Sequence, residues 1–336
     1  MKRSSKIICI VLGVCFAACV GVVIAYKAKC FTLPFVYKEC PSWSIGYYTT
    51  NNPAEPPAVD SIHWIDPASL GYHPVPQLMA DPFIVKDNDM YYIFYEEFLG
   101  RKPSSNAFIS VMQSKDLQHW QRLGIVLQEP FHLSFPNVFQ YRGEWYMIPE
   151  AGNSNALHIY RAVDFPMQWE EASVAFEGNR MIDNLVYCEG DTLFLMGLSG
   201  ALRLWYTTDL CANSWIEHPM SPIERGAKEF RPGGQICKVD DTLYCFAQSS
   251  AEGYGTGVIA FRIDSMTTTY YHETRLENNP ILWKHGETVA EKGMHTLNFI
   301  QTGDSSYFCV CDGVRRECPV KLRWDWKVMP TFCAKH

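Results

Sequence analysis

The sequence contains no C-x-x-C pair, no N-x-S/T acceptor, no Walker loop, no H-E-x-x-H and no G-x-G-x-x-G following a strand. Zinc ribbons, thioredoxin chemistry, P-loop phosphate binding, zincin proteolysis and dinucleotide binding therefore have no footing. Basic charge is also scarce: 29 Lys and Arg stand against 36 Asp and Glu, a net −7. Five of those positives and no acid lie in the first thirty residues, leaving 24 against 36 beyond them, a net −12. A folded part that acidic is a poor polyanion ligand, which excludes nucleic acid and favours a neutral or basic partner such as sugar. What is not scarce is apolar material, with 47% hydrophobic and 14% aromatic residues, so a packed core is expected and general disorder is excluded.

Long apolar runs are equally rare. Only one occurs, IICIVLGVCFAACVGVVIAY from Ile7 to Tyr26, so a polytopic transporter is excluded. Twenty uncharged residues span about 30 Å as a helix, enough for one bilayer crossing, and exceed the roughly 7–15 apolar residues of a cleaved signal peptide. The expectation is an uncleaved anchor with a cytosolic tip over residues 1–30. Lys2, Arg3 and Lys6 before the span outnumber Lys27 and Lys29 after it, which favours a cytosolic N-terminus and a type II arrangement. Ten of the thirteen cysteines lie beyond the span, an even number that suits an oxidising lumen without proving pairing. Residues 31–80, rich in proline, read as a luminal stem whose Trp43 to Thr49, apolar and β-rich, can supply a ring-closing strand.

From Ala80 onward the sequence repeats itself. DPFIVKDNDMYYIFYEE from Asp81, FPNVFQYRGEWYMIPE from Phe135, DNLVYCEGDTLFLMG from Asp183, RPGGQICKVDDTLYCFAQ from Arg231 and HTLNFIQTGDSSYFCVCDG from His295 each read as strand, polar turn, aromatic strand. A third strand follows most of them, then an acidic turn and often a tryptophan. The unit starts are 54, 48, 48 and 64 residues apart, the period of propeller blades. Helical periodicity is nearly absent after the apolar run. The fold class is therefore all-β, a five-bladed propeller over residues 81–336, with inner strands near 82–86, 136–140, 184–188, 233–238 and 296–300. Asp87-Asn88-Asp89 imitates a D-x-D signature, but every unit has a polar turn there, and the turn reading prevails.

Each unit places one residue at the start of its inner strand: Asp81, Phe135, Asp183, Arg231 and His295. Propeller geometry would bring these around one axis, two carboxyls with a guanidinium and an imidazole in a low-dielectric mouth suited to acid/base work or sugar binding. Glu96, Glu97, Glu150, Gln248 and Asp312, at the ends of second strands, can reach the same mouth. Asp81, Glu150 and Asp183 are the candidate catalytic carboxyls; Arg231, His132, Asn137, Gln248 and His295 are the candidate substrate-binding residues. No dedicated metal loop is present, and no cofactor is named by the sequence.

ADPFIV with YYIFYEE, EPFHLSFPNVFQYRGEWYMIPE and IYRAVDFPMQW, together with WSIGYYT, RPGGQI and GMHTLN, carry a resemblance over about residues 43–330. The chain resembles the N-terminal propeller domain of plant glucosamine inositolphosphorylceramide transferases and their bacterial relatives. That domain is in turn similar to the five-bladed glycosidase clan of families 32, 43 and 62. There an Asp on blade one acts as base or nucleophile, a second Asp tunes pKa and a Glu donates the proton. Asp81 matches the blade-one Asp; Phe135 stands where the second Asp is expected, and Asp183 where the clan has its Glu. The clan's triad is thus not intact, which speaks against simple hydrolysis. The plant transferases also carry a separate catalytic domain, to which nothing in this sequence corresponds.

The resulting expectation is a membrane-anchored, lumen-facing carbohydrate-active propeller of the Golgi or endoplasmic reticulum. It would transfer a sugar to, or trim one from, a glycan or glycolipid, with a nucleotide sugar as a candidate donor. Asp81 would be the base, Glu150 the acid or second carboxylate, Asp183 the pKa tuner, and Arg231 the holder of a hydroxyl or phosphate oxygen. The rival expectation is a non-catalytic glycan-binding or scaffolding propeller that partners a glycosyltransferase. A secreted glycosidase would need cleavage near Ala25–Ala28.

Overall fold

The computed structural model describes residues 12–23, 36–38, 40–72, 75–99, 106–286, 289–315 and 320–322. The chain divides into two compact units. One comprises Met1–Glu39, Gly100–Ser105 and Pro319–His336. Its described residues form a helix at 12–23 and an antiparallel pair of strands, Val36–Lys38 with Val320–Leu322. Both ends of the apolar stretch Ile7–Tyr26 lie outside the described residues, and no described helix is long and apolar enough to cross a membrane.

The other unit, Cys40–Leu99 with Asn106–Cys318, is a five-bladed β-propeller. The inner strands of its blades are Leu78–Asp87, Ser134–Tyr141, Ile182–Glu189, Arg231–Val239 and Leu297–Gly303. Each lies beside the next, and the fifth returns to the first. The fifth blade takes its third and fourth strands from the N-terminal side of the chain. Trp43–Thr50 pairs antiparallel with Ser306–Val314, and His63–Trp64 pairs with Trp43–Thr50. Residues read as a stem thus supply half of a blade, and closure joins sequence positions some 260 apart.

Burial on both faces explains the aromatic repeats. Five apolar clusters fill the five gaps between blades. Alternation along one strand feeds two gaps: in Met90–Phe98, Ile93 and Tyr95 face the fifth blade, whereas Phe94 faces the second. Trp120, Trp169 and Trp215 pack against these clusters. The described cysteines are all unpaired.

Side-chain bonds run between neighbouring inner strands around the ring. Asp81 Oδ2 accepts the Phe135 N–H at 3.2 Å, Asn137 Oδ1 accepts the Val186 N–H at 2.8 Å, and Arg231 pairs with Asp183. Asn298 Oδ1 accepts the Gln235 N–H at 2.7 Å, while its Nδ2 donates to the Pro82 carbonyl at 2.7 Å. Blades four and five approach so closely that a Cβ on Gly234 would lie 2.0 Å from the Leu297 carbonyl oxygen, which accounts for the glycine pair in RPGGQI.

Candidate functional site

Three inner strands begin with the same distortion. Asp81, Phe135 and Asp183 have φ of 51°, 46° and 48°, and each lies in a register break against the second strand. Left-handed backbone is uncommon for such residues and costs about 1–3 kcal/mol. A bulge of this kind re-aims a side chain. Here it directs the two aspartates into the mouth, while the wholly buried Phe135 ring meets Phe83 edge to face at 4.9 Å.

The second strands contribute carboxyls by pleat alternation. Glu96 follows the Phe94 face toward blade two, where His132 Nε2 lies 3.1 Å from its Oε1. His132 Nδ1 accepts the Ala107 N–H at 3.4 Å, which places the ring proton on Nε2, facing Glu96. Glu97, one residue on, faces the opposite gap. Its carboxylate is bound by Tyr72 and by Arg122 at 3.2 Å, so it ties residues before the first blade to that blade and has no part in the mouth.

Two ion pairs organise the pocket. Arg231 grips the buried Asp183 through Nε and, at 3.2 Å, through Nη2; Gln248 Nε2 donates to the same carboxylate at 2.9 Å. Across the mouth, His295 Nδ1 lies 2.7 Å from Asp312 Oδ2, and Asp312 Oδ1 accepts the N–H groups of His295 and Thr296 at 2.9 and 3.1 Å. Burial opposes charge on His295, but Asp312 and then Asp81 raise its pKa to about 9. Burial would likewise raise Asp312, yet the His295 imidazolium and backbone N–H donors hold it below the usual carboxylate range.

Each cation also touches one further carboxyl. Arg231 Nη2 reaches Glu150 Oε2 at 3.3 Å, and His295 Nε2 lies 3.5 Å from Asp81 Oδ1. Glu150 is raised well above an ordinary glutamate by burial and then by Asp183. Asp81 is raised well above an ordinary aspartate by burial; His295 pulls it down, and Glu96, Asp312 and Asp183 push it up. Both carboxyls therefore hold protons far more tightly than exposed ones do.

Asp81, His295 and Asp312 present ligand atoms within 4.8 Å of one another, the spacing of a metal site. Among the described residues, the Asp312 oxygens are engaged by the His295 ring and by the backbone N–H groups of Asp81, His295 and Thr296. Near the second blade, His158 bridges Glu171 at 2.6 Å and Ser154 Oγ at 2.9 Å, which imitates a hydrolytic triad. The Ser154 hydroxyl instead donates to the Ala151 carbonyl at 2.7 Å and closes a short 3-10 turn.

The sequence expectations thus divide. Asp81, Glu150, Asp183, Arg231, Gln248 and His295 are joined in one site, and His132 borders it through Glu96. Asn137 is buried, with its amide oxygen on the Val186 N–H. His295 sits between Asp312, 2.7 Å from its Nδ1, and Asp81, 3.5 Å from its Nε2. Two residues escaped the sequence reading: Trp43, stacked on His295 at 4.0 Å, and Tyr254, edge-on to both. A tyrosine bracketed by Gly253 and Gly255 was the available signal for the second.

With this geometry, the chain matches over residues 38–314 the model of the family described as glucosamine inositolphosphorylceramide transferase 1, N-terminal. The chain belongs to this family. Among curated relatives, it is 32% identical to glucosamine inositolphosphorylceramide transferase 1 of Arabidopsis thaliana over 210 residues, 59% of this chain and 27% of that protein. It is 29% identical to the protein of the same description from Oryza sativa subsp. japonica over 304 residues, 82% of this chain and 40% of that protein. The chain therefore spans less than half the length of these transferase 1 relatives. Among solved structures, it is similar to the catalytic domain of the Coprinopsis cinerea GH62 α-L-arabinofuranosidase, with a TM-score of 0.54 and 12% identity over 81% of this chain and 98% of that one. It is also similar to the Cellvibrio cellulosa α-L-arabinanase, with a TM-score of 0.51 and 17% identity over 76% and 95%. These likenesses show that the chain shares its propeller fold with those enzymes.

Proposed function

We propose that the mouth of the propeller takes a sugar and acts on its glycosidic bond, with Glu150 as proton donor and Asp81 as the second carboxyl. One observation carries this reading: each of these carboxyls adjoins a cation already neutralised by another carboxylate, Arg231 by Asp183 and His295 by Asp312. Such placement keeps a proton available near neutral pH without making the group inert. Glu150 would protonate the departing oxygen, and Asp81, once ionised, would accept the proton of the incoming hydroxyl. Asp81 Oδ1 and Gln248 Oε1, buried without a hydrogen bond from a described residue, are acceptors that fit sugar hydroxyls. The names of the family's transferase relatives support transfer of a sugar to a glycolipid.

The uncharged stretch Ile7–Tyr26 supports single-pass anchorage, with the propeller on the luminal side of the Golgi or endoplasmic reticulum membrane. A second reading, glycan binding in support of a separate transferase, is favoured by Phe135, an apolar residue where the resembling glycosidase clan has a carboxylate.

The purified chain should be incubated with a panel of nucleotide sugars and aryl glycosides, with release of nucleotide and aglycone followed. Turnover lowered by roughly two to four decades in E150Q supports the catalytic reading. Glycan binding without turnover would replace it with the binding reading, and neither binding nor turnover would defeat both.

A further inference from the structure

Tyr254 is unusual in its surroundings. It is 56% exposed, yet its loop is built tightly. The Thr256 N–H donates to the Ser249 carbonyl at 2.8 Å, and Thr256 Oγ1 donates to the Gly253 carbonyl at 2.7 Å. The Ser250 N–H donates to the Lys228 carbonyl at 2.8 Å, and Lys228 Nζ returns a bond to the Ala251 carbonyl at 2.9 Å. Gly255, at φ 65°, lies so close to the mouth that a Cβ there would meet His295 at 3.1 Å and Trp43 at 3.2 Å. Across from it, a Cβ on Gly293 would lie 2.0 Å from the Gly255 carbonyl oxygen. Glycines on both sides thus let this loop press against the start of the fifth inner strand, and the residue they carry is held in place while it stays exposed.

The ring's neighbours are those of the site. The Arg231 guanidinium carbon stands 5.2 Å from its centroid, His295 meets it edge-on at 5.5 Å and Trp43 at 6.4 Å. Its hydroxyl is within electrostatic reach of Asp81, Asp183 and Glu96. A rigid aromatic beside acceptor-rich carboxyls has the two halves of sugar recognition. The ring offers a flat apolar face to the C–H side of a pyranose or furanose, and the carboxyls take its hydroxyls. Because Arg231 and His295 are already neutralised, the arrangement suits an uncharged sugar ring better than an anionic one.

We propose that Tyr254 is the stacking platform that docks the sugar over Asp81 and Glu150, an inference that rests on the carbohydrate reading above. Wild-type full-length chain should be applied to a printed array of neutral and anionic glycans, and the best-bound neutral glycan then titrated in solution. Saturation-transfer NMR reads which sugar protons touch aromatic resonances. Y254A and Y254L should weaken binding roughly tenfold and remove the aromatic transfer, whereas Y254F and Y254W keep both. Leucine retains the bulk without the π face, so loss in Y254L separates stacking from packing. Glycan binding by wild type that is equal in Y254A and Y254L overturns the platform and leaves the carbohydrate reading standing. Absence of binding to any neutral glycan by wild type overturns both.

Discussion

The indole of Trp43 lies nearly flat on the imidazole of His295, with centroids 4.0 Å apart and planes inclined at 24°. Trp43 opens the strand that closes the ring, and His295 is the cation that adjoins Asp81. Closure of the propeller and the charge of its site are therefore one contact. An imidazolium attracts an indole face more strongly than a neutral imidazole does, so the stack favours the proton that Asp312 also holds.

An imidazolium quenches a stacked indole more than its neutral form does, so deprotonation should be visible as brightening. Tryptophan fluorescence should rise with a midpoint near pH 9, the value imposed on His295 by its two carboxylates. W43F should remove this step without abolishing folding. A step near pH 6.5, or one that survives in W43F, would contradict the pairing.

Stability should follow the same proton. A pKa of about 9 in the fold, against about 6.5 in the unfolded chain, is worth about 3 kcal/mol. Because the folded value is the higher, this contribution is complete below about pH 6.5 and disappears as pH rises through about 9. Chemical unfolding across that range should give a falling ΔG, and D312N should lower stability at pH 6 and flatten the fall. A ΔG constant from pH 6 to 9.5 would sink the ion pair as a stabilising element.

The blades were legible because each repeats one local code of apolar strand, polar turn and aromatic strand, enough to place five inner strands and the closing segment Trp43 to Thr49. The carboxyls at the strand ends were legible for the same reason. Choosing between Glu96 and Glu97 was not, since adjacent residues face opposite gaps and only the register within blade one, which sets Glu96 opposite Ala80 beside Asp81, decides which enters the mouth. His295 read as a ligand-binding side chain because its partner Asp312 lies across a hairpin, and the sequence contains no sign that both Asp312 oxygens turn inward. Asn137 offered no distinction between a sugar amide and an inter-blade tie. Trp43 and Tyr254 meet His295 only through ring closure and a glycine-bracketed loop, long-range relations with no local signature.

Removing either raised carboxyl should stabilise the protein while disabling it. Asp81 and Glu150 bind protons more tightly folded than unfolded. Their contribution is thus complete below the unfolded carboxylate range near pH 4 and erodes as pH climbs toward the raised folded values. D81N and E150Q have nothing to titrate there. Each should match wild type near pH 4 and exceed it in stability at pH 8. Turnover of any substrate found should fall by roughly two to four decades. Equal stability across the pH range would refute the crowding of charge.

The wild-type pH–rate profile should be bell-shaped. One limb requires an ionised carboxyl to take the proton of the incoming hydroxyl, and the other a protonated carboxyl to supply the departing oxygen. The apparent pKa values belong to the coupled pair rather than to either residue, so E150Q should remove the alkaline limb while shifting the acid one. A rate that rises monotonically with pH would leave no role for a retained proton.

Arg231 has structural weight that its partial exposure conceals. Asp183 is 1% exposed and bound through both oxygens by the guanidinium, so removing the cation strands a buried carboxylate. R231M should cost about 3–5 kcal/mol, more than any lost packing, with Gln248 as the remaining donor to that carboxyl. The penalty belongs to the orphaned charge rather than to loss of a favourable bond, and the double variant R231M/D183N should therefore recover most of it. Urea unfolding of the two single variants and the double variant forms a cycle in which the double variant should lose far less than the sum of the single losses. If D183N and R231M losses simply add, the contact between Asp183 and Arg231 is not a stabilising pair.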